Sequence, residues 1–209
     1  MSALTLYNFD LDENCYRVRL LLSMLSLEVK FVAVDMIPGR EHLKAPLIEP
    51  NPLGDLPILT DDDLVVSEPV AILAYLAGRY GGEAWAEPAS PAPYARHVSW
   101  LAFAAGALPA TRQARLVSLF GAKGDLADLA ARVALHGRSH EFVRLRRRRL
   151  LRRRAGGRAG IVDVALFPAF ALSRDWGVGH EEFPALRRWS RRFRALPGFR
   201  TMPGVPDYG

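Results

Sequence analysis

The chain has 209 residues, 50% of them hydrophobic, and a formal net charge of +6. That length accommodates two small domains or one large one, and no apolar run approaches the ~18 residues of a membrane span. One cysteine, Cys15, excludes an intrachain disulfide framework; with no basic stretch leading into an apolar one at the N-terminus, a reducing, cytoplasmic setting is expected.

Leu4 to Phe9 reads as a strand, Asp10 to Asn14 as a polar loop, and Tyr16 to Leu27 as a helix with Val18, Leu21, Leu22 and Leu25 at helical spacing. Glu28 to Val34 returns to strand composition, Pro38-Gly39 ends it, and Arg40 to Ile48 predicts a short, weak helix. Ile58 to Thr60 and Leu64 to Val66 form two more strands around Asp61-Asp62-Asp63, and a helix with an acidic start runs from Pro69 to Tyr80. A βαβ crossover followed by a hairpin and a helix predicts an α/β sandwich of thioredoxin-like type.

Gly81 to Pro93 reads as a linker, and no strand pattern recurs beyond it. Tyr94 to Phe120 and Leu126 to Leu135 are helical in period, with Arg96, Arg112 and Arg115 assigned to the polar face. Ile161 to Leu172 is apolar nearly all round, so it is expected to be the buried central helix of an all-α domain, started at Gly160 with Asp163 as its early acid and kinked at Pro168. Ala185 to Leu196 is amphipathic, with Leu186, Trp189, Phe193 and Leu196 inward and five arginines outward. The expected fold class is therefore α/β plus all-α: a thioredoxin-like domain at 1–82, a linker at 83–92 and a helical bundle at 93–209.

The positive charge is local. Arg144 to Arg154 holds eight arginines in eleven positions, and removing eight from +6 leaves −2 for everything else. A general nucleic-acid-binding face is not expected. Three readings of the run stay open: a solvated helix or loop, a contact for a phosphate-rich or anionic partner, or GC-rich DNA read out of frame. Burial is excluded, because so many guanidinium groups cannot leave water unpaired.

Chemistry concentrates at Asn51-Pro52-Leu53-Gly54-Asp55-Leu56-Pro57 and at Ser67-Glu68-Pro69. Pro57 donates no backbone hydrogen bond, and a cis Leu56–Pro57 bond presents the N–H and C=O of Leu56 to a small peptide-like ligand beside a helix N-terminus. The five histidines, His42, His97, His136, His140 and His180, are scattered, so no metal site is expected. There is no glycine-rich phosphate loop and no nucleophile elbow.

The fragments NCYRVRLLL at 14–22, PGREH at 38–42, NPLGDLP at 51–57, AILAYLAGRYGGEAW at 71–85, IVDVALFP at 161–168 and ALPGFRTMPG at 195–204 together resemble the glutathione S-transferase superfamily over nearly the whole chain. The resemblance is nearest to bacterial members. It implies a glutathione-binding N-terminal domain, a helical second domain, glutathione as co-substrate with a small electrophile, disulfide or peroxide as the second reactant, no metal, no membrane and a homodimer. It implies that Leu56, before Pro57, pairs with the cysteine of glutathione. Ser67 and Glu68 would meet the γ-glutamyl end, and His42 and Lys44 the glycine carboxylate, while Asn14 and the helix start around Cys15 would steady the thiolate. Cationic side chains and a helix N-terminus suit the carboxylates of the tripeptide.

Cys15 itself is open to three readings: a small core residue, a partner in a mixed disulfide, or a donor to the bound thiol. The chain departs from the family pattern twice. Pro69 stands where a hydroxyl residue is usual, and Asp12 where bacterial relatives carry serine; an ionised Asp12 beside a thiolate would raise the thiol pKa. Both departures favour the alternative of a non-catalytic binding or assembly member with a weakened glutathione site.

Overall fold

In β1 (Thr5–Asn8) the residues alternate between half-buried and buried, so Leu6 and Asn8 face inward while Thr5 and Tyr7 do not. The computed structural model describes residues 4–121, 159–181 and 183–207. After β1 the chain enters α1 (Glu13–Met24), which starts where the Asp12 carboxylate accepts a hydrogen bond from the Cys15 amide at 2.9 Å. That contact satisfies one of the N–H groups a helix start leaves without a partner. The buried face of α1 carries Cys15, Val18, Leu21 and Leu22, all within 1% of complete burial.

The crossover returns the chain parallel to β1 as β2 (Lys30–Ala33). Then β3 (Ile58–Asp61) pairs antiparallel with β1, and β4 (Leu64–Val66) antiparallel with β3, giving the order β2-β1-β3-β4. The hairpin turns through Asp62, whose φ of 50° a short polar side chain tolerates. Helix α2 (Pro69–Tyr80) follows, with Pro69 at a position that needs no N–H. This is the thioredoxin-like arrangement expected from the sequence. Leu6, Leu20, Leu56, Ile72, Leu73 and Leu76 have no exposed surface and form its core.

The expected helix at 40–48 is a correction: only a single 3-10 turn, Glu41–Leu43, forms there. Pro46 and Pro50 lack the N–H groups that a longer helix would need. The supposed linker is likewise partly helical, with α3 (Gly82–Trp85) inside it and α4 starting at Pro91.

The chain divides into two units, one comprising residues 1–86 with 197–203, the other residues 87–196 with 204–209. The return of 197–203 to the first unit has a visible cause. The Tyr16 hydroxyl donates to the Arg200 carbonyl at 2.6 Å. Gly198, at φ +76°, lies where a Cβ would come within 2.7 Å of the Met24 Cα and the Ser23 carbonyl, so only glycine lets the segment approach α1.

In the second unit, the stretch read as one helix from Tyr94 is two, α4 (Pro91–Gly106) and α5 (Pro109–Phe120), because Pro109 starts a new ladder instead of continuing the old one. Helix α6 (Ile161–Ala171) is buried nearly all round as expected, and the Asp163 carboxylate both accepts from the Gly160 amide at 3.0 Å and holds the Trp189 indole N–H at 2.9 Å. Trp189 and Phe193, on α7 (Pro184–Arg194), are core residues, and Phe193 stacks on Phe167 at 4.6 Å.

Arg115 does not face water. It is buried and its Nε lies 2.6 Å from Asp175, a carboxylate that supplies the pairing such a burial requires. His180 is also enclosed, stacked on Phe170 at 4.2 Å and bonded to the Ser173 hydroxyl at 3.0 Å; burial, then the nearby Arg174 charge, pushes its imidazole down to about 4. The segments Leu126 to Leu135 and Arg144 to Arg154, with His136 and His140, lie outside the described residues.

Candidate functional site

The strand register of the first unit gathers four segments at one end of the sheet. Asn8 and Ala33 are partners, so β1 and β2 finish side by side. Tyr7 faces Ile58, where β3 begins, and Leu59 faces Val66, where β4 finishes. The loop into α1, the loop carrying His42 and Lys44, the Leu56–Pro57 entry to β3 and the Ser67–Glu68 exit from β4 therefore all open from the same end.

The approach to β3 is rigid. The Asn51 amide donates to the Asp55 carbonyl at 2.7 Å, and the Gly54 amide donates to the Asn51 carbonyl at 2.9 Å. Gly54 has φ +62°, with the Leu43 side chain in the space a Cβ would need, so glycine is required. The Leu56–Pro57 bond is cis. Leu56 is fully buried, yet neither its N–H nor its C=O makes a hydrogen bond among the described residues. A buried backbone pair without partners is unusual, because nearly all such groups are satisfied. It is the donor–acceptor set that an extended peptide uses when it adds to a sheet, reachable once the atoms that now cover Leu56 give way.

Glu68 is the N-cap residue of α2 and not part of its first turn, which corrects the expected acidic start. Its side chain is exposed and caps nothing, while Ser67 beside it is half-buried. Pro69 removes one N–H from this helix start, leaving those of Val70 and Ala71. His42 is half-buried in the 3-10 turn. Lys44 is exposed, and its Nζ donates to the Gly39 carbonyl at 2.8 Å, so it lies folded onto its own loop.

At the start of α1 the structure separates three residues that the sequence grouped. Asn14 is half-buried at the surface, and its side-chain oxygen accepts from the Arg17 guanidinium. Asp12 and Cys15 are withdrawn, each with no exposed surface. The Asp12 carboxylate is committed to capping α1, and the Cys15 Sγ accepts from the Phe9 amide at 3.4 Å. Of the three readings of Cys15, its burial favours the small core residue, since a reactive thiol acts through an accessible thiolate, and the Asp12 carboxylate is turned toward the helix backbone.

Two further residues shape this loop and were missed in the sequence. Arg19 holds it from below, donating to the Asn8 side chain, to the Phe9 carbonyl at 3.3 Å and to the Asp10 carbonyl at 2.7 Å. Arg17 is buried between Glu13 and Asn14. Its spacing from Glu13, four residues on one helix face, was the available signal. Among the described residues no group of His, Cys, Asp and Glu side chains is arranged to hold a metal.

Comparison with known proteins bears on the family and the fold. Residues 2–78 match the family model of the glutathione S-transferase N-terminal domain. Glutathione S-transferase 3 of Zea mays is 29% identical over 221 aligned positions, covering 99% of this chain and 96% of that one. The crystal structure of a possible glutathione S-transferase from Rhodopseudomonas palustris superposes with a TM-score of 0.80 at 27% identity, covering 98% and 100% of the two chains. The chain belongs to the glutathione S-transferase superfamily. Some curated transferase relatives align over only 34% of their own length. A glutathione transferase homologue from Lodderomyces elongisporus, solved with two GSH per subunit, shares the transferase fold with a TM-score of 0.78 at 24% identity, over 95% of this chain and 96% of that one.

Proposed function

We propose that the protein binds glutathione at this end of the sheet and turns its thiolate on a small electrophile, or uses it to reduce a disulfide or peroxide. The observation that carries the reading is the buried backbone pair of Leu56, unbonded among the described residues and flanked by a helix N-terminus with an exposed carboxylate at its cap. In this reading the cysteine of glutathione lies along Leu56 beside Pro57 as an added strand. Glu68 takes the free amine, and Ser67 with the N-terminus of α2 takes the γ-glutamyl carboxylate. His42 and Lys44 meet the glycine carboxylate, for which Lys44 exchanges its contact with Gly39. The Asn14 amide donates to the thiolate.

The chemistry asks little of the protein beyond position and charge. With an aryl halide, the thiolate sulfur forms a bond to carbon, and halide departs with the electron pair of the bond that breaks. Holding the two partners together and keeping the thiol ionised supplies the rate. Relatives carrying the transferase name, and related structures solved with glutathione, support this reading. A cytoplasmic homodimer belongs to the same proposal.

Retention on immobilised glutathione, followed by conjugation of an aryl halide, tests it. Binding with turnover is the expected result; no retention and no turnover would sink it. Weak retention without turnover supports the second reading, a non-catalytic binding or assembly protein with a weakened glutathione site. Pro69 favours that second reading, because losing a hydroxyl and an N–H to a carboxylate costs about 1.5–3 kcal/mol for each.

A further inference from the structure

We propose that Arg17 is a positioning residue that sets which face of the Asn14 amide meets the glutathione thiol; the inference rests on the glutathione-binding reading above. Arg17 follows Asn14 by three residues and Glu13 by four, so all three share one face of the first turns of α1. The guanidinium donates to the Asn14 side-chain oxygen and to the Glu13 carboxylate. A guanidinium has five donors and no acceptor, so the amide atom that meets it has to be oxygen. The NH2 end of Asn14 is thereby left for whatever arrives from solvent, and it makes no hydrogen bond among the described residues.

The arrangement is held firmly. Arg17 is 3% exposed and Glu13 1%, so rotating the guanidinium away from either partner would strand a buried charge. Other charges nearby are already engaged: the Asp12 carboxylate caps Cys15, and Asp10 lies 3.6 Å from Arg19. An Asn14 free to turn over would present its carbonyl to the sulfur as readily as its NH2. Carbonyl against thiolate sets two acceptors face to face and favours the protonated thiol, whereas a donor favours the thiolate.

The test compares the wild-type protein with R17M, R17K and N14D. Thiolate ultraviolet absorbance against pH gives the pKa of bound glutathione, and titration with S-methylglutathione reports binding that does not involve the thiol. The expected result for R17M is a rise of about one pKa unit in the bound thiol with S-methylglutathione affinity unchanged. R17K, which keeps donors but loses the fork, should fall between R17M and wild type. N14D keeps a partner for Arg17 but has no donor, and should raise the thiol pKa at least as far as R17M. A thiol pKa in R17M equal to that of the wild type overturns the inference. So does an equal loss of S-methylglutathione and thiolate binding, since that marks a merely structural role. Should R17M fail to fold, R17K decides, and no rise there overturns it. A wild-type protein that binds glutathione without lowering its thiol pKa removes the positioning role alone; one that binds no glutathione removes the proposed function with it.

Discussion

The two ends of the same sheet treat their polar groups in opposite ways. At the end where β3 turns into β4, the Asp61 carboxylate accepts from the Tyr75 hydroxyl at 2.6 Å and from the Tyr80 hydroxyl, and the two rings meet edge to face at 6.4 Å. Donors and acceptor there satisfy one another and fasten β3 to α2. At the other end, among the described residues, the Leu56 backbone pair is unbonded, Glu68 caps nothing and Asn14 keeps its NH2 unspent. A closed polar cluster stabilises the fold, whereas an open one holds binding free energy that only a ligand realises. Substitutions at the closed end should therefore register as stability, and at the open end as affinity.

The largest effect is expected at the closed end. Asp61→Ala deletes the acceptor of two hydroxyls, and hydrogen bonds to charged groups place the loss at about 2–3 kcal/mol, measured by urea unfolding, with glutathione affinity intact. A pH experiment sharpens this. The hydrogen bond to Asp61, then burial, pushes the Tyr75 phenol up to about 12, above its ordinary value of 10.0. The unfolded chain thus releases that proton first, so the stability from Tyr75 is present below pH 10 and declines as pH rises toward 12. In Asp61→Asn the carboxylate charge is gone and that alkaline decline should shrink. An identical decline in wild type and variant would detach Tyr75 from the cluster.

Glu68→Gln probes the open end with nearly the same shape. In the proposed site Glu68 takes the free amine of glutathione, so removing its charge should weaken glutathione binding about tenfold by calorimetry, while stability stays within about 0.5 kcal/mol. A loss of stability matching the loss of affinity would show that Glu68 is already in use by the fold, and the contrast between the two ends would fail.

Much of this contrast was written in local sequence. Pro57 marks the entry to β3 by its missing N–H, and Pro69 marks the start of α2, so the site segments were legible as punctuation. What escaped depends on partners far along the chain. Arg115 was placed in water because helical periodicity sorts residues by polarity alone; its carboxylate, Asp175, lies 60 residues away. The docking of 197–203 on α1 likewise has no local signature beyond Gly198, whose need appears only once Met24 is beside it. Asp12 is a different case, since two signals compete at one position and only one of them was read. An acid just before an apolar helical period is a capping signal, and a family comparison drew it toward the thiol instead.

That competition leads to the smallest expected effect. If the Asp12 carboxylate serves the helix start, Asp12→Ala should cost about 1 kcal/mol of stability, while Asp12→Ser, whose hydroxyl also accepts from the N3 amide, should recover most of it. The bound glutathione thiol should titrate alike in wild type and Asp12→Ser, because a carboxylate without exposed surface and bonded to the Cys15 amide is turned toward the helix backbone and away from ligand. A thiol pKa that drops in the serine variant would mean the carboxylate's charge reaches the sulfur despite its burial. Asp12 would then belong to the open end, opposing the Asn14 donor across the same turn, and the boundary between fold and site would run through the first turn of α1 instead of beneath it.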